Sequence, residues 1–250
     1  MAKSGKRHTG KIVGAIILAM FIIAITLFGN YVSDFYQADE AAFDALSIND
    51  ADGVKVQELD DGSIAFIPEE AKVGLIFYPG GKVQSEAYAP LMRACAQRGV
   101  LCVLTQPLYN LAILDVNMAD EIPFELPAVS TWMIGGHSLG GVAASMYAAK
   151  HLDEFDGIVF LAAYPSKDLS GFPGSSLSIY GTNDGVLDLS KYEKADAKLP
   201  EDASELVIEG GNHAWFGDYG EQKGDGEATI SHEEQQAQTA DAIAELAKAA

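Results

Sequence analysis

Apolar runs broken at short intervals by Gly, Pro and acids divide the chain into one long uncharged stretch followed by a series of short elements. Lys11 and Asp34 bracket 22 uncharged residues, and Ile12 to Phe28 is apolar apart from Gly14 and Thr26. As a helix rising about 1.5 Å per residue, such a segment reaches about 33 Å, the thickness of a bilayer's hydrocarbon core. A cleaved signal peptide wants a shorter apolar core followed by small residues in an A-x-A arrangement. Leu27-Phe28-Gly29-Asn30-Tyr31-Val32-Ser33 offers none, so residues 12–33 are expected to form an uncleaved signal-anchor helix after a basic tail of residues 1–11. Residues 34–52 are acidic and Ala-rich (Asp34, Asp39, Glu40, Asp44, Asp50, Asp52). They read as a solvated stalk or loose helix leading to a domain over residues 53–250.

Within that domain the period shortens. Val54 to Leu59 and Ser63 to Ile67 alternate around an Asp60-Asp61-Gly62 turn, which predicts a hairpin. Residues 73–78 form a continuous apolar run, followed by Pro79-Gly80-Gly81 and an amphipathic helix over 85–98 that stops at Gly99. The alternation then repeats: strand 100–105, helical segment 109–119, strand 131–135, helix 139–151, and strands 157–162, 177–180 and 205–208. A last helix opens on the capping box Ser231-His232-Glu233-Glu234 and runs to Lys248. The expectation is an α/β domain with an eight-stranded, mostly parallel sheet covered by helices on both faces. Ala163 to Ser176, joining two of the strands, is too short for a large cap domain.

Composition agrees with a packed domain: 48% hydrophobic and 21% charged residues exclude disorder. Four of the 16 Lys and Arg (Lys3, Lys6, Arg7 and Lys11) precede the first acid, so residues 12–250 set 12 cations against 36 acids, a formal −24. A body this acidic repels phosphate backbones, and no basic stripe or nucleic-acid motif opposes that reading. The cations before the anchor orient it by the positive-inside rule, with the amino terminus cytoplasmic and the domain extracytoplasmic. Cys95 falls on a predicted helix and Cys102 on the next strand; they read as two small buried residues, with a disulfide the alternative in an extracytoplasmic domain.

Gly136-His137-Ser138-Leu139-Gly140 is a G-x-S-x-G sequence between a predicted strand and a predicted helix, the setting in which a serine is presented on a strained elbow. A serine hydroxyl needs a base, and the base an orienting carboxylate. Both follow at strand ends: Asp184 in Gly181-Thr182-Asn183-Asp184-Gly185, with Asp188 as the substitute acid, and His213 in Gly210-Gly211-Asn212-His213. An oxyanion needs two amide donors. Leu139 supplies one, and the loop Pro79-Gly80-Gly81-Lys82 supplies the other from Gly81, with Lys82 as the alternative.

These segments resemble the α/β-hydrolase fold, and in detail the bacterial branch catalogued as α/β-hydrolase family 5. The matches are Tyr78-Pro79-Gly80-Gly81, Pro107-Leu108-Tyr109-Asn110-Leu111-Ala112, Gly135 to Gly141, and Gly211 to Gly220. The resemblance implies a Ser138, Asp184, His213 triad and acyl-hydrolase chemistry; Trp215 departs from it where a glutamine is expected. The Gly-and-acid segment from Gly217 to Glu227 does not have the ligand spacing of an EF-hand, so no metal or cofactor is expected. That segment reads instead as a lip of the site, with Tyr109, Trp215, Phe216 and Tyr219 lining a shallow mouth. The expected activity is hydrolysis of a small, neutral acyl ester, lactone or amide. Acyl transfer to an acceptor other than water and a membrane-tethered, non-catalytic binding module are the competing readings.

Overall fold

In the computed structural model, which describes residues 4–47 and 52–249, the eight expected strands form one sheet. Its strands are β1 (Val54–Glu58), β2 (Ile64–Pro68), β3 (Val73–Tyr78), β4 (Val100–Leu104), β5 (Thr131–His137), β6 (Gly157–Leu161), β7 (Ser175–Gly181) and β8 (Ser204–Ile208), in the order β1-β2-β4-β3-β5-β6-β7-β8. The β1–β2 hairpin is antiparallel, and β2 also runs antiparallel to β4; every other pairing is parallel. Gly62 at the hairpin turn has a positive φ of 85°, a conformation glycine adopts without steric cost.

Side-chain alternation sorts the core into two layers. Leu75 and Phe77 of β3, Cys102 and Leu104 of β4, and Val159 and Leu161 of β6 face one side. There they meet Leu91 and Met92 of α3 (Ala89–Ala96) and Ile243 and Leu246 of α7 (His232–Ala249). Ile76, Tyr78, Leu101, Val103, Ile158 and Phe160 face the other side, against Ala143, Ala144 and Ala148 of α5 (Leu139–Ala148), with Ile122 of the one-turn α4 (Ile122–Glu125) in the same layer. Strands buried on both faces read as continuous apolar runs, as these do. Cys95 and Cys102 are buried and unbridged in the first layer.

Three expected elements differ. The helix expected over 85–98 is a 3-10 turn (Ser85–Tyr88) followed by α3, because Pro90 sits in the first turn of α3 and cannot donate into a continuing helix. The helical segment expected over 109–119 is two 3-10 turns, Leu108–Asn110 and Ala112–Leu114. Tyr109 and Asn110 there have φ of 58° and 55°, and the Asn110 carbonyl accepts the Lys82 N–H at 2.7 Å. Its apolar spacing reflects Ala112 and Ala119 anchoring an irregular loop in the core.

The third difference is the acidic segment, which is not a solvated stalk. Tyr36 donates its N–H to the Lys82 carbonyl at 2.8 Å and accepts the N–H of Gln84 at 2.9 Å. Helix α2 (Glu40–Ser47) buries Ala42 and Ala45 while Glu40 and Asp44 stay exposed. Asp52 forms a two-pronged ion pair with the buried Arg93, at 2.8 and 3.0 Å. Two alanines three apart make a narrow apolar stripe that an acidic composition conceals. The compact unit accordingly begins at Tyr36.

The residues before it form a separate unit, the helix α1 (Ser4–Ser33). Gly10–Ser33, 24 residues, is long and apolar enough to cross a membrane. Lys3 of the basic tail and Asp50 of the acidic segment lie outside the described residues.

Candidate active site

The carboxyl ends of the parallel strands carry the residues singled out in the sequence. Ser138 follows β5 directly and takes φ 51° and ψ −121°, a conformation strongly disfavoured for a residue with a side chain. Its N–H donates to the Leu161 carbonyl at 2.9 Å, which ties the elbow to β6. The flanking glycines make the turn possible: a Cβ on Gly140 would run into the carbonyl oxygens of Tyr78 and Pro79. Ser138 remains half-buried at the start of α5.

His213, after β8, and Asp184, after β7, meet as a pair. Nδ1 of His213 lies 2.9 Å from Oδ2 of Asp184, and both side chains are 1% exposed. Oδ1 of the same carboxylate accepts the N–H groups of Val186 and Leu187 at 2.8 and 2.7 Å, so both oxygens are fixed. Asp188, the alternative acid, is engaged elsewhere. It caps α6 (Leu189–Ala195) by accepting the Lys191 N–H and pairs with the Lys191 ammonium at 3.0 Å. Those hydrogen bonds hold its carboxyl below the usual range. Nε2 of His213 is buried and has no hydrogen-bond partner among the described residues.

Of the three successive amides in the loop after β3, two are occupied. Gly80 donates to the Tyr88 hydroxyl at 3.0 Å and Lys82 to the Asn110 carbonyl. Neither the Gly81 N–H nor the Leu139 N–H, at the amino end of α5, donates to an acceptor among the described residues. The Lys82 alternative is thereby excluded on hydrogen-bond grounds, since its proton is already spent on Asn110.

Ser138, Leu139 and His213 open onto one cavity of about 290 Å³ whose walls are Val142, Ala162, Ala163, Tyr164, Val186 and Leu187, with Asp188 and Lys191 beside them. The aromatic residues expected to line the mouth do not. Phe216 and Tyr219 are core residues, 0% and 6% exposed; Phe216 packs on His137 and Tyr219 on Tyr36 and Tyr88. Trp215 packs against His232 with the rings tilted and faces a second cavity of about 320 Å³ with Asn212 and Asp225. Tyr109 is exposed on the loop after β4. The chain after His213 is instead tied to the domain, the Asp218 N–H bonding the Ala87 carbonyl at 2.7 Å.

Sequence reasoning also passed over Asp225. Its carboxylate accepts the N–H groups of Gly185 at 3.0 Å, His213 at 3.2 Å and Ala214 at 2.8 Å, joining the loops that hold Asp184 and His213. The signal was an acid twelve residues after His213, inside the Gly-and-acid segment that the sequence suggested was a lip of the site. The cavity walls were legible only as apolar residues just beyond strand ends; the positive φ of Ala162, 45°, which turns the chain past Ser138, leaves no mark in the sequence.

Comparison with known proteins agrees with this fold. No curated protein matches the chain. Among solved structures, it is similar to TT1662 from Thermus thermophilus, with 17% identity, a TM-score of 0.56, and coverage of 79% of this chain and 99% of that one. A dienelactone hydrolase from Anabaena variabilis has 17% identity and a TM-score of 0.58 over 78% and 97% of the two chains. An S-formylglutathione hydrolase from Agrobacterium tumefaciens has 15% identity and a TM-score of 0.53 over 82% and 98%. At these identities the likeness is one of fold. The sequence profile of the alpha/beta hydrolase family matches residues 74–237, from β3 into α7 and through Ser138, Asp184 and His213. With that match across well over half of its length, and with a serine elbow between β5 and α5 of a mostly parallel eight-stranded sheet, the chain belongs to the alpha/beta hydrolase family.

Proposed function

We propose that the chain is a membrane-anchored serine hydrolase that cleaves small, neutral acyl esters through an acyl-enzyme on Ser138. The observation that carries the proposal is the cavity shared by a serine on a strained elbow and a buried histidine whose far nitrogen is bonded to a carboxylate. Ser138 Oγ attacks the acyl carbonyl while His213 Nε2 takes its proton, and Asp184 holds the proton on Nδ1 and balances the imidazolium. The Gly81 and Leu139 amides receive the oxyanion. His213 returns the proton to the departing alcohol as the C–O bond breaks. A water, deprotonated by the same histidine, then releases the acid and restores Ser138. That two of the structurally similar proteins are hydrolases by name supports hydrolysis as the outcome.

Cavity and connections set the substrate size. The link from β6 to β7 spans only residues 162–174, too few to build a cap over the opening. A volume near 290 Å³ with small apolar walls desolvates a short acyl chain but not a long one, whose further methylenes each forgo about 0.8 kcal/mol of transfer free energy. Across nitrophenyl esters from acetate to palmitate, kcat/KM is expected to fall beyond about six to eight acyl carbons. A maximum at twelve carbons or longer, or activation on emulsions, contradicts this.

The 24-residue apolar helix and the cations before it support an anchor with the domain on the outer side. Protease added to intact cells is expected to degrade the domain and spare an amino-terminal tag. A protected domain refutes the orientation.

A further inference from the structure

His137, between Gly136 and Ser138, is 1% exposed, and the mechanism above gives it no task. Its surroundings are nevertheless specific. The Tyr88 hydroxyl lies 2.7 Å from His137 Nδ1 and accepts the Gly80 N–H at 3.0 Å. A phenol carries one proton, and an oxygen already accepting from Gly80 directs that proton at Nδ1. Nδ1 is then an acceptor, and the ring's own proton resides on Nε2. No hydrogen-bond partner meets Nε2 among the described residues. The His137 ring lies against that of His213, centroids 4.5 Å apart, with Phe216 at 5.6 Å. Glycine at position 80 permits this closure: a Cβ would stand 2.6 Å from the Tyr88 oxygen and 2.9 Å from His137 Nδ1.

We propose that Tyr88 and His137 are positioning residues, in which the tyrosine locks the buried histidine as a neutral, Nε2-protonated ring that supports His213 from beneath and couples it to the Gly80–Gly81 loop. The proposal rests on the reading of Ser138 as nucleophile and His213 as base. Its geometry joins the loop of one oxyanion donor, the residue before the nucleophile and the ring of the base in one contact chain. It also has an electrostatic side. His213 must take up a proton during the reaction, and a charge on His137 would oppose that. Burial first, and then the neighbouring His213, push the His137 pKa well below the ordinary histidine range. The other titratable groups facing the pair are Tyr88 and Tyr219, both pushed up by burial and so neutral, and the carboxylates Asp184 and Asp225 on the His213 side.

Two measurements test it. In the wild-type protein, nitrogen-15 NMR of the histidine rings is expected to show His137 protonated on Nε2 only and not titrating between about pH 5 and 8. A proton on Nδ1, or an ordinary titration, overturns the proposal whether or not any variant folds. The second measurement is the rate of fluorophosphonate labelling against pH in Tyr88→Phe, which keeps the ring packing and removes the hydroxyl. Labelling is expected to slow about tenfold or more. Its acid limb should spread over two protonation steps where the wild type shows one, because losing a hydrogen bond made to the neutral ring lets His137 compete for the proton. A wild-type rate, or a slower rate with an unchanged pH profile, overturns the positioning role. Wild-type protein that shows the expected tautomer yet never labels refutes the reading of Ser138 itself, whereas labelling with the wrong tautomer refutes only this proposal.

Discussion

The Ser138→Ala and His213→Ala proteins are each expected to lose about 10⁴-fold or more in kcat on a short nitrophenyl ester, with unchanged far-UV spectra. The expectation follows from how little else in the cavity can do their work. Without the hydroxyl no acyl-enzyme forms. Without His213 no positioned base remains among the described residues of the cavity: Lys191 is an ammonium, Asp188 is engaged by that ammonium and by the Lys191 N–H, and His137 is turned toward Tyr88. Nucleophile and base act as a unit, so the double variant should lose little more than either single one. Residual activity above about a tenth of wild type in Ser138→Ala would rule out acyl-serine catalysis.

Asp184→Asn carries the next largest effect, and the hydrogen bonds around the carboxylate set its direction. Val186 and Leu187 direct two N–H groups at Oδ1, so an asparagine must place its single oxygen there. Its NH₂ group then faces His213 Nδ1, which becomes an acceptor and leaves the ring proton on Nε2. That tautomer cannot accept a proton from Ser138. A loss approaching about 10⁴-fold in kcat is expected, with KM changed far less and the fold retained, since the isosteric amide keeps both backbone bonds. A loss smaller than about tenfold would mean that another group orients the histidine.

Much of the domain was legible because each strand has its own local signal. Continuous apolar runs such as Val73 to Tyr78 can satisfy two buried faces only inside a covered parallel sheet, and Gly99 and the Ser231 capping box mark helix ends by backbone chemistry. Ser138, Asp184 and His213 were legible for a related reason: each lies just beyond a strand, and the parallel order brings those ends to one edge. What escaped depended on partners distant in the chain. The pairing of β2 with β4 rather than β3 is set by how the connection crosses the sheet, which no local pattern encodes. Residues 36–47 belong to the domain because Tyr36 meets Lys82 and Gln84, contacts that an acidic composition does not reveal. Phe216 and Tyr219 looked like a mouth because aromatic residues near a base often line one. The pairing of Tyr88 with His137 across 49 positions claims that side of the histidine for the core instead.

Labelling of Ser138 tests the central claim most directly. Intact-mass and peptide spectra of the protein treated with a fluorophosphonate are expected to show one adduct, on the peptide holding Gly136 to Gly141, absent in Ser138→Ala and formed far more slowly in His213→Ala. A protein that stays unmodified, or an adduct on any other residue, would contradict Ser138 as an activated nucleophile.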